Sequence, residues 1–122
     1  MSTKSEILFE RAEKVIPGGV NSPVRAYGAI GEAPRFISRA DGYRICDVDG
    51  REYTDYICSW GPMILGHNDE RIREAVIHAC ESGLSFGCAT EREVEIAEFI
   101  CERIPHIDMI RMVNSGTEAV MS

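Results

Sequence analysis

The chain has 122 residues, 44% of them apolar, with a formal net charge of -7. This composition fits a globular polypeptide, and the acidic balance argues against nucleic acid or an anionic membrane as partner, since both reward clustered Lys and Arg. No apolar run is long enough to span a bilayer and the opening Met1-Ser2-Thr3-Lys4-Ser5-Glu6 lacks the core of a signal peptide, so a cytoplasmic protein is expected.

The first element is a helix over about residues 3 to 16, with Thr3 and Glu6 spaced as a capping box and Leu8, Ala12, Val15 and Ile16 along one side. Pro17-Gly18-Gly19 ends it. Residues 18 to 34 are aperiodic and rich in Gly and Pro, which predicts a loop, and Arg25 is its only charged member before Glu32. Three short runs, 35–39, 43–48 and 52–57, are separated by Asp41-Gly42 and Asp49-Gly50, which predicts a three-stranded antiparallel meander. Asn68 or Asp69 caps a second helix carrying Ile72, Ala75, Val76, Ala79 and Cys80 on one face and ending at Gly83. A third runs from Thr90 to Arg103, with Thr90 and Glu93 as its capping box and Val94, Ala97, Ile100, Cys101 and Ile104 on its apolar side. Met109 to Val113 reads as a short buried strand leading into Asn114-Ser115-Gly116-Thr117-Glu118-Ala119. A strand, a turn of small residues and a helix start direct unpaired N–H groups and the positive end of a helix dipole at one spot, which suits a phosphate.

Taken singly, these features leave alternatives open. Ser115-Gly116-Thr117 also fits an ordinary N-capped turn. Trp60, the only tryptophan, fits core or interface packing as well as a pocket wall. Lys4 and Lys14, the only lysines, read as solvated surface charge, and Glu91, Glu93, Glu95, Glu98 and Glu102 as a solvated helix face. His67, His78 and His106 lack the spacing of a helical metal site, so no metal is expected. Cys46, Cys58, Cys80, Cys88 and Cys101 contain no Cys-x-x-Cys pair and read as reduced thiols.

As a set, the motifs are more specific. Gly18-Gly19-Val20-Asn21-Ser22-Pro23-Val24-Arg25, Asp49-Gly50-Arg51-Glu52-Tyr53, Ser59-Trp60-Gly61-Pro62, Leu65-Gly66-His67 and Asn114-Ser115-Gly116-Thr117-Glu118-Ala119 closely resemble, in order and spacing, the amino-terminal part of the glutamate-1-semialdehyde 2,1-aminomutases. These are class III aminotransferases of the pyridoxal-phosphate (PLP) fold type I. The first and third motifs narrow the resemblance to the aminomutases, whereas the others are shared with the wider class. Two departures stand out: Cys58 and Cys88-Ala89 occupy positions where Gly and Ala-Pro are expected.

The resemblance implies an α/β fold, the amino-terminal portion of a fold type I enzyme. Residues 1–66 would form an arm and small-domain segment, and 67–122 the start of the PLP-binding major domain, whose first sheet strand is 109–113. It also implies a cytoplasmic homodimer that isomerises glutamate-1-semialdehyde to 5-aminolevulinate in tetrapyrrole (porphyrin) biosynthesis, using pyridoxal 5'-phosphate and pyridoxamine 5'-phosphate. Carried over by motif, Ser115, Gly116 and Thr117 hold the cofactor phosphate, Arg25 with Ser22 binds the substrate carboxylate, and Trp60 lines the pocket. The family's Schiff-base lysine matches neither Lys4 nor Lys14 and is expected beyond Ser122, so the chain alone is expected to be inactive. Two rival readings are another class III (omega-amino) aminotransferase and a non-catalytic phosphate-binding or interaction module.

Overall fold

A computed structural model describes residues 2–122, which form two compact units, Met1–Glu81 and Ser82–Ser122. The first begins with α1 (Lys4–Glu13), opened by the expected capping box: Thr3 Oγ1 accepts from Glu6 N–H at 3.2 Å, and the Glu6 carboxylate accepts from Thr3 N–H at 2.8 Å. Regular helix stops short of residue 16. The residue before a proline is driven out of the helical region, and Ile16 is extended (φ -129°, ψ 124°). Residues 14–16 instead close a tightened turn, with Val15 and Ile16 N–H both donating to Ala12 O.

The meander forms as β1 (Ile37–Asp41), β2 (Arg44–Asp47) and β3 (Glu52–Thr54), all antiparallel in the order β1-β2-β3. A bulge interrupts β1, since Ile37 pairs with Asp47 and Arg39 with Cys46. Ser38, between them, donates its hydroxyl to the Cys46 and Asp47 carbonyls at 3.1 Å. A bulge leaves backbone groups without ladder partners, and here a side chain supplies the missing donor.

Two aspartates organise the β2–β3 turn, and one of them ties it to α1. Asp47 is fully buried, and its carboxylate accepts from Asp49 N–H (2.9 Å), Arg51 N–H (2.8 Å) and the Tyr53 hydroxyl (2.8 Å). Burial disfavours its charge, but the donors from Arg51, Tyr53 and Asp49 outweigh that and hold the carboxyl below its ordinary range. Asp49 reaches across to α1 and accepts from Lys4 N–H (2.7 Å) and Ser5 N–H (3.1 Å). The first helix is therefore capped twice, locally by Thr3 and from the β2–β3 turn by Asp49.

In α2 (Glu70–Glu81) the choice of cap is resolved in favour of Asp69, which accepts from Arg71 N–H (3.1 Å) and Ile72 N–H (3.3 Å). Asn68 sits in the left-handed region (φ 58°) and its amide donates to Asp41 instead. The second unit holds α3 (Glu91–Arg103) and α4 (Gly116–Met121). Thr90 N–H donates to the Glu93 carboxylate at 3.2 Å, as the capping-box spacing predicts.

One expectation is corrected. Among the described residues the meander is the only sheet, and 109–113 form no strand. A parallel strand exists only where neighbours accept and donate backbone hydrogen bonds, and this unit contains no second strand to do so. The apolar helix faces fall as the periodicity predicts, yet they look outward: Ile72, Val76, Val94 and Phe99 are each half exposed or more, and among the described residues only Ser5, Gly19, Pro34, Cys46 and Asp47 are buried.

Candidate functional site

Arg25 lies on a single 3-10 turn, Pro23–Ala26, preceded by extended Ser22. Arg25 N–H donates to Ser22 O at 2.9 Å, so these two expected substrate residues share one turn. Pro23 at its first position fixes φ for the turn. The loop is anchored behind them by Gly19, which is buried against α1: a Cβ there would lie 2.5 Å from the Phe9 ring. Arg25 is exposed, and none of the ion pairs among the described residues involves it. An unpaired guanidinium on an ordered turn is suited to a planar anion.

Trp60 lies on a second turn of unusual geometry. Cys58 (φ 52°), Ser59 (φ 53°) and Trp60 (φ 68°) are three successive L-residues in the left-handed region, followed by Gly61. The turn closes through Trp60 N–H to Ile57 O and Gly61 N–H to Cys58 O, both 3.0 Å. The indole is 67% exposed, so within this unit Trp60 is not a core residue.

Beneath the turn, Asp55 Oδ1 accepts from Ile57 N–H (2.7 Å) and Cys58 N–H (3.2 Å), while Oδ2 lies 2.6 Å from His67 Nε2. The His67 main chain in turn exchanges two hydrogen bonds with Gly42, at 2.7 and 2.9 Å. The His67 contact, then the Ile57 and Cys58 donors, hold the Asp55 carboxyl below its ordinary range against the opposing effect of burial. A cavity of about 200 Å³ opens beside this pair, lined by Tyr43, Cys58, Met63 and Ile64 among others.

In the second unit Ser115 is the N-cap of α4, its Oγ accepting from Glu118 N–H at 3.2 Å. The Glu118 carboxylate folds back, and one of its oxygens accepts from Asn114 N–H (3.0 Å) and Ser115 Oγ (2.8 Å). An anionic oxygen thus already sits on two donors of the turn. Gly116 and Thr117 N–H have no acceptor among the described residues, as expected for the first residues of a helix.

Ser22 and Arg25 are therefore joined, and Ser115 to Thr117 form one turn. No hydrogen bond among the described residues links the Arg25 turn to the Trp60 turn. Sequence reading missed Asp55 and His67, because an aspartate and a histidine twelve residues apart form no recognisable motif. It also passed over Glu118, although Ser115 and Glu118 have the capping-box spacing.

Residues 27–122 match the family model described as Aminotransferase class-III, and the chain belongs to that family. It is 68% identical over 120 residues to glutamate-1-semialdehyde 2,1-aminomutase 1 of Lachnoclostridium phytofermentans, a match covering 98% of this chain and 28% of the relative. Among solved structures it is similar to an omega-transaminase from Sphaerobacter thermophilus (TM-score 0.89, 40% identity, 98% of this chain and 27% of that one). A transaminase with PLP bound is also similar (TM-score 0.87, 39% identity, 99% and 28%). The chain spans just over a quarter of the length of the relatives it matches.

Proposed function

We propose that this chain supplies the amino-terminal part of a PLP-dependent aminomutase that isomerises glutamate-1-semialdehyde to 5-aminolevulinate, an intramolecular amino transfer feeding porphyrin biosynthesis. The observation that carries the reading is the 68% identity over nearly the whole chain to a relative of that name. Residues 1–66 serve as arm and small-domain segment and 67–122 begin the cofactor-binding domain. The working protein is a cytoplasmic homodimer. Among the described residues no helix is long and apolar enough to cross a membrane, which is compatible with that setting.

The Asn114–Thr117 turn fits a phosphate, because Asn114 N–H and the Ser115 hydroxyl already hold an anionic oxygen from Glu118 and the Gly116 and Thr117 N–H groups have no acceptor among the described residues. Ser115, Gly116 and Thr117 would hold the phosphate of pyridoxal 5'-phosphate or pyridoxamine 5'-phosphate, displacing the Glu118 carboxylate. When bound, the cofactor supplies the exchange of an amine with the substrate's carbonyl carbon. Arg25 binds the substrate carboxylate through its guanidinium, with the Ser22 hydroxyl beside it as a further donor. Trp60 forms an apolar wall that excludes water from the reacting end. Lys4 and Lys14, at the two ends of α1, do not match the motif of the family's Schiff-base lysine, and the cofactor-linked lysine belongs to the remainder of the protein.

The test is Arg25→Ala in the protein at the length of its relatives. Losing charge-assisted hydrogen bonds to a carboxylate raises KM roughly 10- to 100-fold, while the cofactor's absorption spectrum stays unchanged. Loss of the cofactor with substrate affinity spared would refute the assignment. A second reading, an aminotransferase using an external amino donor, draws on the 40% identity to an omega-transaminase. Turnover that requires an added amine would favour it.

A further inference from the structure

We infer that Asp55 and His67 form a brace that holds the left-handed turn presenting Trp60, and are positioning residues for that pocket wall. Only the pocket clause rests on the function proposed above. L-residues with positive φ persist where surrounding contacts over-determine them, and here three stand in succession. The Asp55 carboxylate gathers the N–H groups of Ile57 and Cys58 on one oxygen, and Ile57 O then receives Trp60 N–H. Its other oxygen meets His67 Nε2 at 2.6 Å, with the two side chains only 9% and 16% exposed. His67 is in turn pinned through its main chain to Gly42, at the β1–β2 turn. Both ends of the segment from 55 to 67 thus converge on one shielded contact, and Trp60 projects from the middle. The 2.6 Å contact gives the His67 ring a structural partner in Asp55.

Trp60 is the chain's only tryptophan, so its time-resolved fluorescence anisotropy reports the turn directly. In the 122-residue chain, Asp55→Ala and His67→Ala should each shift amplitude from the slow tumbling component to nanosecond local motion. The double variant should lose no more than Asp55→Ala alone, because Asp55→Ala already removes the contact that His67 makes. His67→Gln should restore the slow component, since its amide nitrogen can still donate to Asp55. Unchanged anisotropy in His67→Ala, or additive losses in the double variant, would overturn the brace. If His67→Ala fails to fold, His67→Gln and His67→Asn decide: equal polarity but different reach should leave the slow component in the first and remove it in the second, and equal values overturn the inference. At the length of the relatives, His67→Ala should raise KM in the same sense as Trp60→Ala. A raised KM in Trp60→Ala alone would remove the positioning role, whereas no change in Trp60→Ala would remove the pocket reading and leave the brace to the anisotropy.

Discussion

Gly66→Ala tests whether the main chain of the Leu65-Gly66-His67 segment is fixed by close contact with the meander. Gly66 has φ 85°, and a Cβ there would lie 2.8 Å from Gly42 O, 3.0 Å from Gly42 C and 3.2 Å from Gly42 Cα. Holding an alanine in the left-handed region costs about 1–2 kcal/mol. The clashing atoms are backbone and cannot rotate aside, so the segment must part from Gly42 and weaken both hydrogen bonds between Gly42 and His67. Each of those contributes about 0.5–1.5 kcal/mol net. The lower entropy of the unfolded alanine chain returns about 0.4–1 kcal/mol, leaving a loss of about 1–4.5 kcal/mol. Gly50→Ala is the control: φ is 84°, but nothing lies within 4 Å of its Cβ, so only the backbone contribution applies. Its loss should be about 0–1.5 kcal/mol. Urea titration followed by Trp60 emission and far-UV circular dichroism measures both. Equal losses in the two variants would refute the claim that contact with Gly42 fixes the segment.

Three further outcomes are expected. Cys58→Gly, which restores the residue expected at that position, relieves a positive φ of 52° and should be neutral or stabilising by up to about 1 kcal/mol; a clear loss in the same urea assay would mean that the Cys58 side chain packs usefully. Asp47, Asp49 and Asp55 all have carboxyls held below the ordinary range, so their contribution is fully present above that range and is lost as pH falls through the lowered values. The acid limb of an unfolding curve should flatten in Asp47→Asn, and an unaltered limb would count against the role of the buried carboxylate. Because α2 and α3 expose their apolar faces, the 122-residue chain should self-associate in sedimentation at micromolar concentration, and a strictly monomeric chain would contradict this.

The sequence by itself determined whatever depends on neighbours along the chain. Thr3 and Glu6 opened α1, the two Asp-Gly turns set the meander, and Ser115 capped α4, because each interaction closes within a few residues. The periodicity also identified which faces of α2 and α3 are apolar, and the ordered motifs placed the chain in its family. Tertiary structure alone decided what depends on residues far apart. Asp49 capping α1 and the Asp55–His67 contact both join separate segments, and no local pattern specifies them. The segment 109–113 makes the same point from the other side. Its apolar pattern suits a strand, but pattern alone supplies no partner for its backbone N–H and C=O groups, and a strand exists only where another segment provides one.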